Sequence, residues 1–204
     1  MKISRTYNKN LKFTQRQSEI IIGLVLGDGH LETQTKGKTY RLKVEHSIRQ
    51  KDYVEWLFSE LRDLIPGEIY ETKRDMRHFV GFRTYSSPSF RFYAHQFYPS
   101  GKKVIPKLFK KLITPLALAI WFMDDGSKKS NKHKTYNIHT LGYSKNDLKR
   151  VCEVFKKAFD IEATIHVQKT KYYRVYIPSV SALKFKNMIK PYAQEISSMK
   201  NKLG

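Results

Sequence analysis

Acidic residues and cysteine are what this chain has least of. Eighteen Asp and Glu face 39 Lys and Arg, a formal charge of +21 over 204 residues. Such an excess points to a polyanionic partner, because lysine and arginine that displace counterions from phosphates gain most of their binding that way. The single cysteine, Cys152, excludes an internal disulfide and a zinc site built on several thiolates, and fits a reducing compartment. Its expected place is a buried apolar position in a helix. No apolar run approaches the roughly 20 residues that a membrane span needs, and the N-terminal MKISRTYNKNLKFTQRQ lacks the apolar core of a secretory signal. The expectation is a soluble, intracellular protein. The seven histidines are scattered singly, without the cluster that a histidine-built metal centre would need, and read as strand or loop residues, some facing the partner. Core formers are not lacking: 40% hydrophobic and 13% aromatic residues suffice for one or two compact domains.

The few acids sit in odd places. IIIGLVLGDG, residues 20 to 29, is an apolar run that closes on Asp28, and LALAIWFMDDG, residues 116 to 126, closes on Asp125. At a helix C-terminus a carboxylate meets the negative end of the macrodipole and is disfavoured by roughly 0.3–1 kcal/mol, so a cation is expected beside each. One Asp-Gly pair is ordinary helix-ending chemistry. Two of them, 97 residues apart (125 less 28), are a repeat. If the two helices pack side by side about a pseudo-twofold axis, Asp28 and Asp125 meet at the bottom of the pair, where joint ionisation calls for a divalent cation. Gly23, Gly27 and Ala119 permit the close approach.

The rest of the chain repeats as well. After the first run comes a polar segment with turn residues, HLETQTKGKTY, then a half-buried strand, YRLKVEHS, with Tyr40, Leu42 and Val44 inward. QKDYVEWLFSELRDLI has the spacing of an amphipathic helix, EIYETKR and HFVGFRTY read as a hairpin, and SPSFRFYAHQFY as a short helix. The second half follows the order again: a loop SKKSNKHK, a strand TYNIHTLGY, a helix SKNDLKRVCEVFKKAFD, strands ATIHVQK and YYRVYI, and a helix from PSVSALKFKNMI. YPSGKKVIPKLFKKLITP, with three prolines and five lysines, reads as an exposed connector. The organisation expected is a basic segment 1–18, a first repeat 19–98, a linker 99–114 and a second repeat 115–204.

Alternation also assigns a polar face to each half. With the apolar residues inward, Thr135, Asn137 and His139, Thr164, His166 and Gln168, and Tyr172, Arg174 and Tyr176 point outward, as do Arg41, Lys43 and Glu45, with Arg83 on the same side. These side-chain types hydrogen-bond base edges or phosphates. Two such sheets form a basic saddle able to cover on the order of 20 base pairs of duplex DNA.

IIGLVLGDG and LAIWFMDDG resemble the two signature helices of the LAGLIDADG homing endonucleases, and the chain looks most like the single-chain, two-repeat members encoded in group I introns. The resemblance implies an α+β fold of two pseudo-symmetric αββαββα repeats packed through the signature helices, each with an antiparallel sheet in a DNA-binding saddle. It implies that Asp28 and Asp125 are metal-binding catalytic acids, that the carbonyls of Gly27 and Asp124 add ligands, and that a lysine stands near each centre: Lys103 at one, Lys202 or Lys200 at the other. It further implies a monomer that cuts both strands across the minor groove and leaves short 3′ overhangs. Oxygen ligands of this kind select Mg²⁺ or Mn²⁺. The sequence departs from the signature at Ile120, where glycine is usual, which makes the helix pair asymmetric. Two other readings of the same features are a maturase that binds intron RNA and a DNA-binding regulator without cleavage.

Overall fold

The computed structural model describes residues 11–129, 134–168 and 172–203. Its two halves are built around two helices. The first, α1 (Gln15–Leu26), starts in a capping box: Thr14 accepts from the Gln17 amide and the Gln17 side chain accepts from the Thr14 amide, each at 3.1 Å. Every residue from Ile20 to Leu26 is buried, because the helix has the rest of the protein on all sides. Next come β1 (His30–Glu32), β2 (Arg41–Ser47), α2 (Lys51–Glu60), β3 (Tyr70–Arg74), β4 (Arg77–Arg83) and α3 (Arg91–Phe97). A short α4 (Phe109–Leu112) leads to the second central helix, α5 (Pro115–Asp125), opened by Thr114 as cap and Pro115 in its first turn. The second half continues with β5 (Gly126–Lys128), β6 (Tyr136–Ile138), α6 (Lys145–Phe159), β7 (Thr164–Gln168), β8 (Tyr172–Ile177), α7 (Ser179–Ala193) and α8 (Ser197–Leu203).

Each half carries one antiparallel four-stranded sheet, in the orders β1-β2-β4-β3 and β5-β6-β8-β7. The register pairs Lys43 with Arg83 and Glu45 with Gly81 in the first sheet, and Asn137 with Tyr176 and His166 with Arg174 in the second. The helices α1 and α5 pack against each other. Their closeness has a residue-level cause: a Cβ on Gly23 would stand 2.5 Å from the Ile120 Cβ and 2.6 Å from the Ala117 carbonyl oxygen. Ile120 therefore fills the space that Gly23 leaves, and the pair is asymmetric as expected from the sequence.

Three expectations fail. The segments read as turns and loop after each Asp-Gly begin with strands, β1 and β5; three residues each is too short for alternation to register. The connector is not exposed. Ile105, Phe109 and Ile113 are buried, the Phe109 ring meets the Trp121 ring edge-on at 6.2 Å, and Arg150 donates to the Ile105 carbonyl at 2.6 Å. The lysines there drew attention from an apolar stripe that burial rewards. Thr135 and Asn137, expected outward, are buried at 5% and 3% exposure. Asn137 does share a face with Tyr176, but β6 lies inside the sheet and runs only three residues, so its polar face is covered by neighbours. Cys152 lies on α6 and is half-buried, its thiol pushed up to about 11 by burial. No described helix is long and apolar enough to cross a membrane.

Candidate active site

The C-terminal ends of α1 and α5 meet at the candidate site. Gly27 caps α1 and Asp28 follows it, exposed, whereas Asp125 is the last residue of α5 and partly buried. Helix ends leave carbonyls without intrahelical partners; backbone amides and the Tyr143 hydroxyl take several here, and cations take others. Lys103 donates to the Gly27 carbonyl at 2.5 Å, and Lys202 donates to the carbonyls of Met123 and of Asp124, the latter at 3.1 Å. These lysines answer the dipole argument made from the sequence. Burial lowers both ammonium groups from their usual range, while Asp28, Asp124 and Asp125 oppose that.

Lys202 reaches the site because α8 is fixed at both ends. Its Ser198 amide donates to Asp52 at 2.8 Å, and the Leu203 carbonyl accepts from the Tyr136 hydroxyl at 2.9 Å. Lys200 stands two positions back, about 200° around the helix, and is exposed. The structure brings Lys103 and Lys202 to the acids and leaves Lys200 outside.

Asp124 was expected to contribute its carbonyl, and its side chain does more. It is fully buried, accepts from the Tyr53 hydroxyl at 2.8 Å and from the Asp28 amide at 2.9 Å, and a Cβ on Gly27 would collide with it. A carboxylate of the second helix is thus enclosed by the first half. Burial and the nearby Asp28 push the Asp124 carboxyl up to about 8. Burial, Asp124 and Asp28 push Asp125 up to about 7, against Lys103 and the Trp121 indole, which donates to it at 3.2 Å. Three carboxylates that feel one another this strongly are a site for positive charge.

His46 is the residue that sequence reasoning missed. It lies on β2, 4% exposed, with Nδ1 at 3.7 Å from Asp28 and Nε2 at 3.7 Å from Asp124, and its Nε2 has no hydrogen-bond partner. Burial lowers its pKa, with Asp28 opposing. The signal was present: the alternation that turns Leu42 and Val44 inward turns His46 inward one step later. Ligand atoms of Asp28, His46 and Asp124 all lie within 4.8 Å of one another, close enough to share a cation. The oxygen donors fit a hard divalent ion: two carboxylates at the helix ends and two carbonyls, Gly27 and Asp124, that already hold ammonium groups.

Of the expected face residues, the first half presents Arg41, Lys43, Glu45 and Arg83 on one side of its sheet. Two acids hold these cations: Arg41 pairs with Glu32 at 2.8 Å and Arg83 approaches it at 3.9 Å, while Glu45 takes Lys43 at 3.5 Å, Arg74, and the Tyr70 hydroxyl at 3.1 Å. In the second half Thr164 and Tyr172 are exposed, and His166 stacks on Tyr176 at 4.2 Å. His139 contacts the Ser127 hydroxyl at 2.9 Å. The Gln168 backbone pairs with Tyr172, and its side chain lies outside the described residues. Thr135 Oγ1, Asn137 Oδ1, Arg174 Nε and Arg83 Nε are buried without a hydrogen-bond partner, Arg83 Nε keeping only its longer approach to Glu32, an unusual density of unmet hydrogen bonds on two polar faces.

The family model described as "LAGLIDADG DNA endonuclease family" matches residues 18–185. The chain is 30% identical to DNA endonuclease I-ChuI of Chlamydomonas applanata, over 89% of this chain and 92% of that protein. It is 29% identical to cytochrome b mRNA maturase bI2 of Debaryomyces hansenii, over 100% of this chain and 79% of that one. Among solved structures, the homing endonuclease I-WcaI bound to its DNA recognition sequence superposes with a TM-score of 0.84 at 27% identity, covering 95% of this chain and 88% of that one.

Proposed function

The chain belongs to the LAGLIDADG DNA endonuclease family, and from that premise we propose that it is a monomeric homing endonuclease that hydrolyses one phosphodiester in each strand of a long duplex target, with Mg²⁺ or Mn²⁺. The observation that carries this reading is the pair of helix ends where Asp28 and Asp125 stand with one half-buried lysine apiece on the adjoining carbonyls. Asp28, Asp125 and the carbonyls of Gly27 and Asp124 would hold the metal. When bound, a divalent ion supplies a lowered pKa for attacking water and neutralises charge at phosphorus and the leaving 3′-oxygen. The chain's own residues supply the rest. Lys103 and Lys202, displaced from the carbonyls, aim their charge at the phosphate of one strand each, where negative charge grows in the transition state. Lys43, Arg83 and Arg174 seat the backbone, and His166, Tyr172, Tyr176, Thr164 and Arg41 face base edges.

The test is Asp28→Asn with Asp125→Asn. Against a plasmid library carrying random inserts, the wild type is expected to linearise a defined subset when Mg²⁺ is present. The double variant is expected to bind those inserts and cut none. Wild-type cleavage rates in the double variant would remove the assignment. The maturase relative, similar along the whole chain, favours intron RNA as a second ligand; tight, salt-resistant binding to its own intron transcript and no cleavage of any insert would replace the first reading with that one.

A further inference from the structure

The β3–β4 hairpin ends in a turn that hairpin chemistry does not ask for. Arg74 pairs with Arg77 across a two-residue loop, Asp75-Met76, whose φ angles are 47° and 61°. Two left-handed residues match the twist of the flanking strands, and Asp-Gly or Asn-Gly is the usual filling, since glycine enters that region without steric cost. Aspartate tolerates it. Methionine does not, because its Cβ crowds the carbonyl oxygen. Nor does the side chain gain anything by packing: Met76 is fully exposed. Strain and apolar exposure are both unfavourable for folding, and strain kept where glycine would serve points to what the tip touches.

The surroundings narrow the choice. Pairing of β2 with β4 stops at Ser47 and Phe79, so the last two pairs of the hairpin, Lys73 with His78 and Arg74 with Arg77, run past the sheet as a two-stranded ribbon. Lys73, Arg74 and Arg77 flank the tip against the single acid Asp75. Arg74 lies 4.7 Å over the Phe79 ring and pairs with Glu45, which ties the ribbon to the face that carries Lys43 and Arg83. A two-stranded ribbon is what the major groove of B-form DNA admits, and the apolar feature of that groove is the thymine C5-methyl.

We propose that Met76 is a base-reading residue: the cationic flanks of the ribbon seat on phosphates bordering the major groove, and the Met76 thioether packs on a thymine methyl in the stretch of target facing the first sheet. The proposal rests on the endonuclease reading above and adds a specificity position to it.

Wild type and Met76→Gly are used in parallel to select duplexes from a random library. Wild type is expected to enrich thymine at one position where Met76→Gly shows no preference, all other positions being shared. Replacing that thymine by deoxyuridine, which removes only the methyl, should weaken wild-type binding about fourfold and leave Met76→Gly binding unchanged. Met76→Gln, equal in length but polar, should behave like glycine in this assay. Met76→Gly should also melt about 2–4 °C higher than wild type as the strain is relieved, so its lost preference cannot be misfolding. If wild type enriches a site and Met76→Gly enriches the same one with the same thymine and the same deoxyuridine penalty, Met76 reads nothing and the proposal falls while the endonuclease reading stands. If wild type enriches no sequence, the endonuclease reading falls and takes the proposal with it.

Discussion

The two helix ends occupy matching positions in a repeated sequence and have unlike surroundings. Asp28 is exposed, beside the His46 imidazole, and the residue before it is a glycine. Asp125 is partly buried and accepts from the Trp121 indole, and the residue before it is an aspartate whose side chain crosses into the other half. The structural counterpart of His46 is Thr140: the pairings Leu31 with Leu42 and Lys128 with Tyr136 align the two sheets, and Thr140 is tied to the Tyr173 carbonyl rather than to an acid. Duplication here produced one interlocked interface. Two identical copies of Asp124 could not both fit, since the space each carboxylate needs is the one that a glycine opposite must leave.

The largest expected effect separates the two ends. Lys103 hydrogen-bonds at the α1 end and Lys202 at the α5 end, although both feel the charge of all three acids. Lys103→Met and Lys202→Met are therefore each expected to slow cleavage of one strand about a hundred- to a thousandfold, and to slow opposite strands. Strand-specific end labels on a selected duplex read this directly. Equal slowing of both strands by either variant would mean a single shared centre.

Next in size is the interlock itself. Gly27→Ala places a methyl group on a carboxylate locked by Tyr53 and by the Asp28 amide, with an expected loss of about 1–3 kcal/mol in urea unfolding. Gly142→Ala, where nothing lies within 4 Å of an added Cβ, is the control and should change little.

The polar faces differ more gently. Arg41 is already paired with Glu32, and Arg174 has a buried Nε without a partner. Arg174→Ala is expected to weaken binding about equally across duplex sequences and to reduce the salt slope by about 1. Arg41→Ala should cost less, because its release from Glu32 offsets part of its gain on DNA. A titration over the salt range with each variant gives both the affinities and the slope, which should be steep for wild type.

The smallest effect is on stability against pH. Asp124 and Asp125 hold their protons more tightly folded than unfolded, at about 8 and about 7, well above the ordinary carboxylate range. Their contribution is full below about pH 4 and drains as the pH rises through those folded values. His46, held neutral by burial, contributes in the opposite sense and loses stability as the pH falls through its lowered value. In EDTA the melting midpoint should fall by several degrees between about pH 4 and pH 8. Asp125→Asn should flatten that fall and excess Mg²⁺ should reverse it. A midpoint rising with pH in EDTA would contradict the buried state of the two acids.

Much of this was open to reading in the chain alone. The paired Asp-Gly ends, the need for a cation beside each, the two sheets and the shared face of Lys43 and Arg83 follow from local rules: a period of 3.6, a period of 2, and the dipole at a helix end; Lys103 itself came from the family resemblance. Those rules act over a few residues, so a sequence displays them. The choice of Lys202 over Lys200 depended on α8 being pinned by Asp52 and Tyr136, and the role of the Asp124 side chain depended on Gly27 lying opposite. The burial of Thr135 and Asn137 and the docking of the connector on Trp121 were likewise fixed by what other segments brought to the same place. Contacts between residues far apart in the chain, such as Asp52 and Ser198 at a separation of 146, leave no periodicity behind. The sequence determined that two acids would end two helices in a strongly basic chain; packing alone decided that they would face unlike neighbours, because close-packed interiors admit only one occupant for each space.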